Sequence, residues 1–161
     1  MSPVHPDILS ALTAGIQSEV ASYVFYIEAG KKHETGQIRD ILMRLAGEEK
    51  QHFQILERQY DSLVRSEKWI STADVLKQPG LPDISEEMTA THRALIDEVA
   101  RSRSLSAILD IAYRLELEAR DLFRSSARGC PSEDGKKIFN QLAKFEEGHM
   151  KLVSYMRRQH A

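Results

Sequence analysis

Two copies of one carboxylate–histidine pattern, held a fixed distance apart, constrain this chain more than anything else in its sequence. The first copy is Glu19, followed by Glu49 and His52; the second is Glu116, followed by Glu146 and His149. Each residue of the second copy lies 97 positions after its counterpart: 19 to 116, 49 to 146, 52 to 149. The same register pairs Ile41 with Ile138, Leu45 with Leu142, Ala46 with Ala143 and Tyr26 with Phe123. A single insertion within either copy would break it. The offset therefore reads as a duplicated helix pair, with repeats over about residues 8–65 and 105–160.

Helical periodicity places these residues. Pro6 and Asp7 suit a first turn, where proline gives up no needed N–H and the acid meets the positive helix end. The apolar stripe Ile8, Leu9, Leu12, Ile16, Tyr23, Tyr26 and Ile27 then predicts a helix ending near residue 33, after Gly30. Glu19 sits within that stripe. A second helix, with Thr35 as its expected cap, carries Ile38, Leu42, Leu45, Glu49, His52, Leu56, Tyr60 and Leu63 on one face. Ser104 is the expected cap of a third, with Leu105, Ile108, Ala112, Leu115, Glu116, Ala119, Leu122 and Phe123. Gly129, Cys130 and Pro131 break it, and Ser132 starts a fourth with Ile138, Phe139, Leu142, Glu146, His149, Val153 and Met156. A connection over 67–103, with a short helix expected around Glu86–Val99, is long enough to cross a bundle. The expected fold is all-α: a single domain over 1–161, a four-helix up-down bundle whose second and third helices run parallel.

Within a Glu-x-x-His, the two side chains leave a helix from nearly one face, one turn apart. All six polar residues thus occupy positions where the pattern asks for core. Burying an ionised carboxylate costs several kcal/mol, and like charges raise one another's pKa. Two divalent cations would balance four ionised carboxylates, and His52 and His149 would bind as neutral imidazoles. A single Glu-x-x-His is usually a solvated pair. Two in register, each preceded one helix earlier by a core-facing Glu, make a ligand set the better reading.

The neighbouring polar residues receive blander readings. Glu48, Glu118 and Glu147 turn away from the ligand face and read as solvated or interfacial, with support of the ligands as the lesser alternative. Tyr23, Tyr26 and Tyr113 read first as core packing, with a hydrogen bond from Tyr26 to a ligand carboxylate as the functional alternative. His5, His33, His92 and His160 fit no ligand spacing. Cys130, the only cysteine, excludes a disulfide framework and a thiolate metal site, and fits a reducing, cytoplasmic setting. A formal net charge of −2 gives no reason to expect nucleic acid or an acidic membrane surface. No apolar run approaches the roughly 20 residues of a membrane span, and residues 1–6 lack the basic start of a secretory signal.

With these residues in place the chain resembles the ferritin-like superfamily, and most closely the rubrerythrin-type di-iron domain. The likeness is carried by Glu19 with Phe25-Tyr26, Glu49-Lys50-Gln51-His52, Glu116 with Leu122-Phe123, and Glu146-Glu147-Gly148-His149. It implies two iron ions, bridged by Glu49 and Glu146, with Glu19 and His52, and Glu116 and His149, at the terminal positions. It also implies a homodimer or larger homo-oligomer, an expectation that the apolar residues Ile84, Met88, Leu95, Ile96 and Val99 of the crossover support. The implied chemistry is oxidation of Fe(II) by dioxygen or hydrogen peroxide, as a ferroxidase or peroxide reductase, with an external electron donor.

Two departures bear on this. Where peroxidase-type rubrerythrins carry a further carboxylate, three residues after the third-helix Glu, this chain has Ala119. One cysteine cannot build the family's Cys-rich rubredoxin domain within these residues. The symmetric six-ligand set that remains resembles the bacterioferritin-type ferroxidase centre. The competing readings are a manganese or mixed-metal site, since oxygen and nitrogen donors discriminate poorly among such ions, and an iron-binding or iron-sensing module with negligible turnover.

Overall fold

The computed structural model describes residues 5–33 and 36–160. Helix α1 spans Pro6–Lys32, and His5 caps it: the Asp7 N–H donates to His5 Nδ1 at 3.2 Å. Helix α2 spans Gly36–Ser66; Thr35, its expected cap, lies outside the described residues. Three short helices follow, α3 (Thr72–Lys77), α4 (Glu86–Ala90) and α5 (Arg93–Arg101). Helices α6 (Leu105–Gly129) and α7 (Glu133–Gln159) complete the chain. Ser104 and Ser132 cap them as expected, accepting from the N–H groups of Ala107 and Gly135. Among the described residues there is no strand, and the fold is an all-α ferritin-like bundle.

The directions of the long helices follow from what each end buries. One apolar cluster joins Ile8 and Leu12 of α1 to Leu56 and Leu63 of α2, Phe123 and Ala127 of α6, and Ile138 and Phe139 of α7. A second joins Phe25 and Ala29 to Leu42 and Leu45, Ile108 and Leu109, and Val153 and Met156. The start of α1 therefore meets the ends of α2 and α6 and the start of α7. So α2 and α6 run parallel, each antiparallel to its hairpin partner. Each fully buried Leu or Phe in these clusters is worth about 1.5–3 kcal/mol over an exposed one.

Parallel α2 and α6 oblige the crossover to travel the bundle's length, about 46 Å for the 31 residues of α2 at 1.5 Å each. It is pinned on the way. The fully buried Gln59 amide grips Ile70 at both backbone groups, accepting from its N–H at 2.9 Å and donating to its carbonyl at 2.5 Å. Arg58 donates to Gly80 O at 2.7 Å and Gln54 to Pro82 O at 3.1 Å, while Lys50 pairs with Asp83 at 2.7 Å. At the far end Lys32 Nζ donates to the carbonyls of Val99, Ala100 and Ser102, tying the end of α5 to α1.

The crossover departs from its expected form in two ways. The helix expected over Glu86–Val99 is two helices. Thr91 ends the first, returning both its N–H and its hydroxyl to Met88 O, a local alternative to the helical ladder. Helix α3 is additional: Ser71 caps it by accepting from the Asp74 N–H, and Val75 is buried against the first cluster. Ile84, Met88 and Ile96 pack against Val20, Val24 and Phe53, and Leu95 and Val99 join the second cluster. The apolar face that suggested self-association thus packs partly against the chain's own helices, with Val99 buried and Ile84, Met88, Leu95 and Ile96 half-buried. Helix α1 ends at Lys32, beside the expected residue 33, and Gly30 lies in its last turn. A Cβ there would stand 2.7 Å from Met43 Sδ, so the glycine serves the close approach of α1 and α2.

Candidate metal centre

The two apolar clusters leave a polar layer between them, near the middle of all four long helices. Helix α1 supplies Glu19, α2 supplies Glu49 and His52, α6 supplies Glu116, and α7 supplies Glu146 and His149. The four carboxylates are fully buried, and the imidazoles are 5% and 7% exposed. All six sequence-predicted residues are brought together.

They form two overlapping sets. Glu19, Glu49, His52 and Glu146 each offer a donor atom within 4.8 Å of the others, and so do Glu49, Glu116, Glu146 and His149. Glu49 and Glu146 belong to both. The histidines cross between the halves: His52 Nδ1 lies 3.1 Å from Glu146 Oε1, and His149 Nδ1 lies 2.6 Å from Glu49 Oε1. Glu19 is 3.5 Å from His52 Nδ1, and Glu116 is 3.3 Å from His149 Nδ1. The rings face each other, 5.8 Å between centroids.

The donor set fits a divalent cation on its own terms. Both oxygens of Glu19 and the Oε2 atoms of Glu49, Glu116 and Glu146 are buried without a hydrogen-bond partner. Such orphans are costly in a dry core and ordinary around a cation. Burial, reinforced by Glu146, pushes Glu19 and Glu49 well above the usual carboxylate range; burial reinforced by Glu49 does the same to Glu116. Burial pushes Glu146 up as well, but hydrogen bonds from Glu116, His149 and His52 outweigh it and hold that carboxyl low. Burial also opposes charge on the imidazoles, yet the hydrogen bond to Glu146 raises His52, and those to Glu116, Glu146 and Glu49 raise His149. Without a cation the layer shares protons among carboxylates too close to be charged together.

Three neighbours touch the layer, and for one of them, Tyr26, the sequence offers a hydrogen bond to a ligand carboxylate as the alternative to core packing. Tyr26 donates its hydroxyl to Glu116 Oε1 at 2.7 Å, across the bundle rather than to Glu19 on its own helix. Spacing along one helix could not reveal which carboxylate it would reach. Glu48, expected to be solvated or interfacial, places Oε1 3.8 Å from the outward Nε2 of His149 and Oε2 3.4 Å from Arg44 Nε. Phe145, 46% exposed, stacks on His52 with ring centroids 5.2 Å apart. Ala119 is buried in the first cluster and offers no donor atom.

A surface pocket of about 420 Å³ leads to this layer. Both histidines line it, with Glu48 and Arg44 on one wall and Phe145 and Lys144 on the other.

The Rubrerythrin family model matches residues 10–156 of the chain. Neither a curated protein nor a solved structure matches it.

Proposed function

The chain belongs to the rubrerythrin family, and from that premise we propose that it is a non-haem di-iron oxidoreductase, oxidising Fe(II) with dioxygen or hydrogen peroxide. Membership suggests a di-iron site and oxygen or peroxide chemistry. The observation that carries the reading is the pair of four-residue sets sharing Glu49 and Glu146. Two overlapping sets suit two ions bridged by common carboxylates, with Glu19 and His52 completing one site and Glu116 and His149 the other.

A bound iron pair would supply one electron from each Fe(II), which with two protons reduces one hydrogen peroxide to two waters. The chain supplies the conditions. Burial and their like-charged neighbours favour the protonated form of Glu19, Glu49 and Glu116, and bound cations would displace those protons. An imidazole holding a cation through Nδ1 would likewise release any proton carried there. Tyr26 keeps Glu116 in one orientation. The apolar clusters above and below exclude water, and the pocket beside Phe145 gives a small oxidant its route. Return to Fe(II) requires an external electron donor, which is also proposed.

Anaerobic loading with Fe(II), followed by dioxygen or peroxide, tests the proposal by absorbance. Oxidation of two Fe(II) per chain within seconds is expected. Tight Fe(II) binding without oxidation would replace it with an iron-binding module, and preferential retention of Mn(II) with a manganese site.

A further inference from the structure

The duplication places matched residues around the two four-residue sets, and two of the matched positions that differ set a side chain against a ligand of one set. Position 26 is Tyr and its counterpart, 123, is Phe. The Tyr26 hydroxyl holds Glu116 Oε1 at 2.7 Å, while both Glu19 oxygens are without a partner. Position 48 is Glu and its counterpart, 145, is Phe. Glu48 faces the outward nitrogen of His149 at 3.8 Å, while Phe145 lays an aromatic ring against His52 at 5.2 Å. Both polar supports fall on the same set.

We propose that the two cation positions are unequal: Glu49, Glu116, Glu146 and His149 form the site filled first and held tighter, while Glu19, Glu49, His52 and Glu146 form the second, more exchangeable one. The proposal rests on the di-metal reading above. A carboxylate already held in one orientation loses less freedom when it binds a cation. A carboxylate 3.8 Å from the outer nitrogen of an imidazole is beyond hydrogen-bond reach, yet its charge favours the tautomer with the proton on Nε2 and leaves Nδ1 free to bind. Glu116 and His149 have these supports. Both Glu19 oxygens lack a hydrogen-bond partner, the nearest imidazole nitrogen being that of its fellow ligand His52 at 3.5 Å, and Phe145 offers His52 no acceptor. Tyr26 and Glu48 are thus positioning residues that rank the two sites.

Shared carboxylates make a second cation bind more weakly than the first even in a symmetric centre, so two separated steps decide nothing alone. The decisive readout is which step each variant moves. Metal-free protein is titrated with Co(II) under anaerobic conditions, following ligand-field absorbance and heat, for wild type, Tyr26→Phe and Glu48→Gln. The first step is expected to weaken about tenfold in each variant, the usual effect of removing a partner that orients a metal ligand, with the second step within twofold of wild type. In a centre with equivalent sites, the unaltered set would bind first in each variant, and the second step would weaken instead. That result overturns the ranking and leaves the di-metal reading standing. Wild type that takes up no Co(II) overturns both. Glu48 is partly exposed, so Glu48→Gln tests the proposal even if Tyr26→Phe disturbs the core.

Discussion

His149 Nδ1 lies 2.6 Å from Glu49 Oε1, although 100 residues separate them in the chain. The mirrored pair, His52 and Glu146, stands at 3.1 Å. Each Glu-x-x-His is therefore completed by the other half, and neither helix hairpin contains a whole site. The shared carboxylates should matter to both cations and the outer ligands to one. Glu49→Ala or Glu146→Ala is expected to reduce binding well below two metals per chain. His52→Ala or His149→Ala should leave closer to one. Metal analysis after desalting measures this, and four variants that all retained two metals would remove these residues from the ligand set.

The metal-free layer makes stability depend on pH in a definite direction. Glu19, Glu49 and Glu116 have folded pKa values above their unfolded ones, as do His52 and His149. Their contribution is complete below the unfolded values and lost as pH rises through the folded ones. Glu146, held low, acts the other way, and its contribution is lost only under acid conditions, as pH falls through its folded value. Metal-free protein should therefore melt lower at about pH 8 than at about pH 6. Loading with metal replaces those protons, flattens the dependence and adds about 2.7 kcal/mol at a hundredfold excess over Kd. Equal melting temperatures with and without metal at neutral pH would contradict a buried cation site.

The bundle and its six polar core positions were legible because they are periodic. Four long stripes, and one offset that survives across the whole chain, are patterns along the sequence. The supports of the site are relationships across it. Tyr26 reaches a carboxylate 90 positions away, and Glu48 reaches a histidine on α7. Both depend on how α1 and α2 face α6 and α7, which periodicity within a helix does not specify. The crossover was legible in length and not in form, because its helices are short and end through local contacts such as the return of Thr91 to Met88 O. The signal for α3 lies in Ser71 and Asp74, a cap three residues apart that opens a helix of only six residues.

Gly135, in the first turn of α7, shows how tightly the crossover is seated. A Cβ there would collide with Cys130 Sγ and stand 2.6 Å from Trp69 Cζ2. Trp69 packs edge-on to Phe139 at 6.0 Å, so the indole cannot withdraw without opening the first cluster. Gly135→Ala is expected to cost about 1–3 kcal/mol, which for a chain of this size lowers Tm by roughly 2–4 °C per kcal/mol. Metal stoichiometry should stay unchanged, since the clash lies at the end of the bundle. Thermal melts of the metal-loaded variant check the first point and metal analysis the second.

Phe145 is the other place where an aromatic ring does more than fill space. It is nearly half exposed, yet one face lies against His52 at the mouth of the pocket that reaches the polar layer. An exposed ring gains little from burial, so its removal should cost the fold only the contact with His52, about 0.5–1.5 kcal/mol. The effect on access should be larger. Phe145→Ala removes the apolar wall over His52 and lets water and small chelators approach the set containing Glu19 and His52. Removal of metal by a soluble chelator is expected to become several-fold faster, with stoichiometry at equilibrium unchanged. Phe145→Leu, which keeps an apolar cover, should lie between the variant and the wild type. Chelator kinetics followed by absorbance provide the measurement. Equal rates in all three proteins would show that ions leave by a route other than the pocket beside His52.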